Sequence, residues 1–140
     1  MSSPTVAILV RTKDRPRFLS RTLENIAQQT FTDYTVCVIN DGGDEQAARA
    51  VIEESPLDSG HVQLLTAAGG NMEAASNAGL AATTSKYVAI HDDDDLWAPE
   101  FLERTVAALE ESGALMCTTR IVERYERENA DGEFEVYEER

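Results

Sequence analysis

Short continuous apolar runs alternate along this chain with segments whose apolar residues recur at helical spacing, and that alternation leaves few folds open. Thr5-Val6-Ala7-Ile8-Leu9-Val10 reads as a strand covered on both faces. Pro16 suits the first turn of a helix, and Leu19, Leu23, Ile26 and Ala27 follow at helical spacing as far as Gln29-Thr30. Thr35-Val36-Cys37-Val38-Ile39 is a second buried-type strand, stopped by the turn signal Asn40-Asp41-Gly42-Gly43. Ala47, Ala48, Val51 and Ile52 mark a second helix, and Val62-Gln63-Leu64-Leu65 a third, weaker strand. Gly69-Gly70-Asn71 opens a third helix rich in alanine, Tyr87 to His91 forms a fourth strand, and Pro99 starts a fourth helix that ends at Gly113. Strand–helix alternation of this kind predicts an α/β, Rossmann-like domain with a mainly parallel sheet flanked by helices.

Parallel sheets bind ligands outside the carboxyl ends of their strands. The strands here end there in polar clusters: Arg11-Thr12-Lys13-Asp14, then Asn40-Asp41-Gly42-Gly43, then Asp92-Asp93-Asp94-Asp95. Four adjacent carboxylates repel one another and need a cation, strong donors or open water. Two readings follow from the residues alone. Either a hard divalent cation, Mn²⁺ or Mg²⁺, is held on these oxygens, or the run is a solvated acidic turn before the fourth helix.

At 140 residues the chain fits one domain with a sizeable core, and its formal net charge of −14 opposes binding to nucleic acid or anionic membranes. No apolar stretch is long enough to span a bilayer, and no secretory leader is expected. Cys37 and Cys117 both lie in strand-like apolar runs, which predicts buried free thiols and a cytoplasmic setting. The tail from Ile121 to Tyr137 alternates apolar and charged residues around Asn129-Ala130-Asp131-Gly132, the pattern of a β-hairpin with one wet face. The expected organisation is an α/β domain over 1–122 with a hairpin or acidic tail over 123–140 belonging to the same domain.

Five segments, in order, resemble the nucleotide-sugar-binding half of inverting family 2 glycosyltransferases of the glycosyltransferase A fold. They are Val10 to Pro16, Gln28 to Tyr34, Val38 to Gly43, Asn77 to Ala81, and Tyr87 to Pro99. The resemblance implies a nucleoside diphosphate sugar as partner, most simply a UDP-sugar, and transfer of the sugar with inversion to an acceptor. Thr12 and Asp14 would then lie near the base, and Asp41 would accept its imide N–H. Asp92 would lie near the ribose, and Asp94, with Asp92, would hold the cation on the diphosphate. Asp93 is able to replace either in this reading, Asp95 is a candidate N-cap of the following helix, and Asn71 joins the nucleotide-binding candidates. Metal coordination would neutralise the departing diphosphate and position the anomeric carbon.

The chain departs from the family pattern at Asn40, where an aspartate is common, and at Ser76, where an arginine is common; Arg11, Lys13 and Arg15 are the cations available to compensate. The family's acceptor-binding part and general base lie downstream, so no catalytic base is assigned within these 140 residues. That leaves a second reading, a nucleotide-sugar-binding module without turnover, and makes a homodimer or a separate acceptor-binding module an expected partner. His91 reads as a core histidine, His61 as a surface one, and Trp97 as a ring packed beneath the loop.

Overall fold

The computed structural model describes residues 2–68 and 70–140, so the expectation at Gly69 lies outside the described residues. It divides into two compact units, Met1–Val106 and Ala107–Arg140.

The first unit is built on a four-stranded sheet in the order β3-β2-β1-β4, with β1 Val6–Thr12, β2 Tyr34–Asp41, β3 Val62–Ala67 and β4 Tyr87–Asp92. Every pairing is parallel. Helices α1 Pro16–Ala27, α2 Glu45–Glu54 and α3 Met72–Ala82 connect the strands, and α4 Phe101–Ser112 begins in this unit. The sequence expectation of a mainly parallel α/β sheet holds.

Period-two alternation sorts each strand between two cores. Val6, Ile8 and Val10 of β1 and Val36 and Val38 of β2 meet Leu19, Leu23 and Ile26 of α1, Ala48 of α2 and Leu102 of α4. Leu9, Cys37 and Ile39 point the other way and meet Ala75 of α3. Helix α3 approaches that face closely. A Cβ on Gly79 would lie 2.8 Å from Ile39 Cδ1, so no larger residue fits there without movement. Leu23 is wholly buried, and its truncation to alanine is expected to cost about 2–5 kcal/mol. On β4 the same alternation buries His91 beside Val10 and leaves Val88 and Ile90 exposed on the α3 side.

The second unit holds the end of α4 and an antiparallel hairpin, β5 Arg124–Glu128 and β6 Phe134–Glu139. Its turn places Gly132 at φ +80°, and the Asn129 side chain accepts the Asp131 and Glu133 N–H groups. The expected hairpin is therefore present. The expectation for Cys117 is not met: residues 113–123 form no strand, and Cys117 is exposed while Cys37 is buried. An apolar run becomes a strand only when it joins a ladder, and both ladder partners of the hairpin are taken by each other. Leu115, Met116 and Ile121 stand exposed in that segment. No helix among the described residues is long and apolar enough to cross a membrane.

Candidate functional site at the carboxyl edge of the sheet

Register decides where each polar strand end points. Arg11 of β1 is the cross-strand partner of Asp92 on β4, so both side chains share the α3 face. Arg11 donates through Nε (2.8 Å) and Nη2 to the same oxygen, Oδ1 of Asp92. Its Nη1 reaches Met72 O at 3.2 Å and Ser76 Oγ at 3.3 Å on α3. One guanidinium thus ties two strands and a helix together beside Ser76.

Thr12, next in β1, and Asp93, just past the end of β4, take the opposite face. Thr12 is buried and donates its hydroxyl to Asp93 Oδ2 at 2.9 Å. Arg15 donates to Asp93 Oδ1, also at 2.9 Å. Both oxygens of Asp93 are therefore engaged by protein, and its side chain is 6% exposed. Asp94 turns outward, 54% exposed, with a 3.3 Å contact from Arg15 Nη1 to Oδ2. The hydrogen bonds that Arg15 donates to Asp93 and Asp94 hold its guanidinium above its already high pKa. Partial burial, then the charges of Asp94 and Asp92, raises the Asp95 carboxyl. The Asp95 N–H donates to Asp92 O in the turn, and α4 starts only at Phe101, so Asp95 is not the cap of that helix.

Helix α1 grips the aspartate loop by its backbone. Thr22 Oγ1 donates to Asp93 O at 3.0 Å. Asn25 accepts the Trp97 N–H at 2.8 Å and donates to Trp97 O at 3.0 Å. Gln29 donates to Ala98 O and accepts the Leu102 N–H. These three residues escaped the sequence reading. Their signal was a polar stripe at spacings of three and four beside the apolar face of α1. Trp97 packs under the loop, stacked on Phe101 with centroids 4.4 Å apart and tilted against His91 at 4.3 Å. His91 is buried and donates Nδ1–H to Asp92 O at 2.8 Å; burial lowers its imidazole pKa. His61 is exposed at the surface.

The loop after β2 is organised differently. Asn40 is buried, donates Nδ2–H to Gly43 O at 2.7 Å and accepts the Gly43 N–H at 3.0 Å. An aspartate there would accept but not donate, which gives the departure at Asn40 a structural reason. Gly42 sits at φ +77°. A Cβ on Gly43 would fall 2.8 Å from the backbone nitrogen of Asp14, so the two loops touch through that glycine. Asp14, at φ +51°, accepts the Asp44 N–H at 2.8 Å. Asp41 is half-buried at the end of β2. Asn71 caps α3 by accepting the Ala74 N–H at 2.7 Å. Thr12, Asp14 and Asn71 therefore brace the strand-end loops. Beneath the first two lies a cavity of about 10 Å³, lined by Thr12, Asp14, Leu19, Asn40 and Ala48. That holds about one water.

Among the described residues no three histidine, cysteine or acidic side chains are grouped to hold a metal ion. Asp92 and Asp94 nevertheless suit a hard cation, because Arg11 binds only Oδ1 of Asp92 and Arg15 only Oδ2 of Asp94. Mg²⁺-like ions take one or two carboxylates and complete their shell from phosphate and water.

Known proteins share this fold. The mannosyltransferase PcManGT from Pyrobaculum calidifontis, solved in complex with GDP-Man and Mn²⁺, superposes with a TM-score of 0.65 at 26% identity over 78% of this chain and 33% of its own. S. aureus TarS 1-349 in complex with UDP-GlcNAc has the same fold, with a TM-score of 0.67 at 20% identity over 78% of this chain and 32% of its own. An uncharacterized glycosyltransferase of Nostoc sp. is 26% identical over 76% of this chain, which spans only 33% of that relative's length. The family model described as glycosyl transferase family 2 matches residues 7–137, nearly the whole sequence, and the chain belongs to that family.

Proposed function

We propose that the chain is the donor-binding part of a glycosyltransferase, which receives a nucleoside diphosphate sugar across the carboxyl edge of β1, β2 and β4. The observation that carries this reading is the division of labour within the aspartate run. Asp93 is spent on Thr12 and Arg15, whereas Asp92 and Asp94 each keep one carboxylate oxygen clear of side-chain partners among the described residues. The GDP-Man and Mn²⁺ held by PcManGT support the same ligand class here.

In this reading the base lies over the loop after β2, with the Asp41 carboxylate accepting an imide N–H; that favours uracil, whose N3–H is a donor at that edge. Thr12 and Asp14 hold the two loops together under the base, and Asn71 fixes the start of α3. Asp92, oriented by Arg11, and Asp94 would hold Mn²⁺ or Mg²⁺. Such a cation, when bound, neutralises charge developing on the departing diphosphate. The side chains of Arg11 and Thr12 do their part beforehand, by fixing carboxylate directions so that little reorganisation accompanies reaction. Transfer with inversion requires a general base for the acceptor hydroxyl, which we place outside these 140 residues.

Calorimetric titration with UDP, in Mn²⁺ and again in EDTA, tests the reading, with GDP and ADP as comparisons. Metal-dependent binding that prefers UDP supports it. Preference for GDP overturns the assignment of the base, and equal binding in EDTA overturns the cation site.

A further inference from the structure

We propose that Arg15 is the resident counter-ion of Asp94, and that it yields this carboxylate to a divalent cation and then binds the diphosphate itself. The inference rests on the donor-site reading above and adds a residue to it.

The two arginines at the aspartate run are held unequally. Arg11 is 17% exposed and gripped from both sides, by Asp92 and by Met72 O and Ser76 Oγ. Arg15 is 49% exposed, and both of its aspartate contacts run through a single nitrogen, Nη1. Its remaining donors, Nε and Nη2, make no bond to the aspartates, and the guanidinium carbon lies 5.6 Å from the Phe18 ring centroid. The two contacts differ in strength. Asp93 is buried and 2.9 Å away, so that bond anchors the side chain. Asp94 is half exposed and 3.3 Å away, and an exposed pair of that kind is weak. If Asp94 were to hold a divalent cation, Arg15 could therefore leave that carboxylate while keeping its bond to Asp93. Its Nε and Nη2 would then be available to phosphate oxygens, and such a planar pair of donors suits bidentate recognition.

The role has a signature of opposite signs. Arg15→Gln removes the competitor of the cation and the partner of the phosphate. Titrated with Mn²⁺ alone, followed by the loss of the free Mn²⁺ spin-resonance signal, Arg15→Gln is expected to bind about two- to fivefold more tightly than the parent, the range for an exposed ion pair. Titrated with UDP at saturating Mn²⁺, it is expected to bind about tenfold more weakly, the loss of one charged hydrogen bond. Arg15→Lys keeps the charge without the planar fork. It should match the parent on Mn²⁺ alone and recover only part of the UDP affinity. A purely structural Arg15 would weaken both titrations in Arg15→Gln, and that result overturns the proposal. So does an Arg15→Lys variant that binds UDP as tightly as the parent, which also decides the matter if Arg15→Gln melts early. A parent that binds neither UDP nor GDP with Mn²⁺ overturns the donor-site reading together with the phosphate role. The Mn²⁺-only comparison then judges the counter-ion role by itself.

Discussion

The loops after β4 and after β2 meet at one edge of one sheet, yet they are built by different means. The aspartate loop is held from outside: Thr22 and Asn25 of α1 and Gln29 just past its end satisfy its backbone, and Thr12 and Arg15 satisfy Asp93. The Asn40–Asp44 loop is held from within, by Asn40 on Gly43, with one outside bond from Asp44 N–H to Asp14. External bracing lets a loop carry adjacent like charges, because its shape does not depend on those side chains being neutral. Internal bracing suits a loop whose proposed task is only to present Asp41. The comparison predicts that side chains within one loop differ sharply in what their loss does.

Among the loop residues, the largest effect on stability is expected at Asp93. Asp93→Ala leaves the buried Thr12 hydroxyl without its acceptor and Arg15 without its anchor, for a loss of about 2–3 kcal/mol, read from chemical denaturation. Gly43→Ala comes next. Its new Cβ would meet Asp14 Oδ1 at 2.7 Å and Asp14 N at 2.8 Å, so the loops must part, at about 2 kcal/mol, and UDP binding should weaken with them. Asn40→Asp removes the donor to Gly43 O at a buried position and is expected to cost about 1 kcal/mol by the same measurement. Asp94→Ala stands last on this scale, within about 0.5 kcal/mol of the parent, because an exposed carboxylate with one long ion pair supports little structure. Should Asn40→Asp cost more than Asp93→Ala, the contrast between external and internal bracing fails.

Most of the fold was legible because strands covered on both faces are written as unbroken apolar runs: Val6 to Val10, Val36 to Ile39. The same rule misled at Cys117, where an apolar run lies outside every ladder. At the site, the polar strand ends were legible, but the four aspartates read as equivalent. Only the pairing of Arg11 with Asp92 fixes which face each one takes, and that register joins residues far apart in the chain. The roles of Arg11 and Arg15 were hidden for the same reason. As sequence they are ordinary charges after a strand; in the fold each is the counter-ion of a specific carboxylate.

Asp94 is where structure and function separate most cleanly, so Asp94→Ala titrated with UDP and Mn²⁺ is the most direct measurement. The expected result is a protein that melts like the parent and shows no metal-dependent heat of binding. An Asp94→Ala variant that binds UDP and Mn²⁺ as the parent does would contradict the placement of the cation on the outward aspartates.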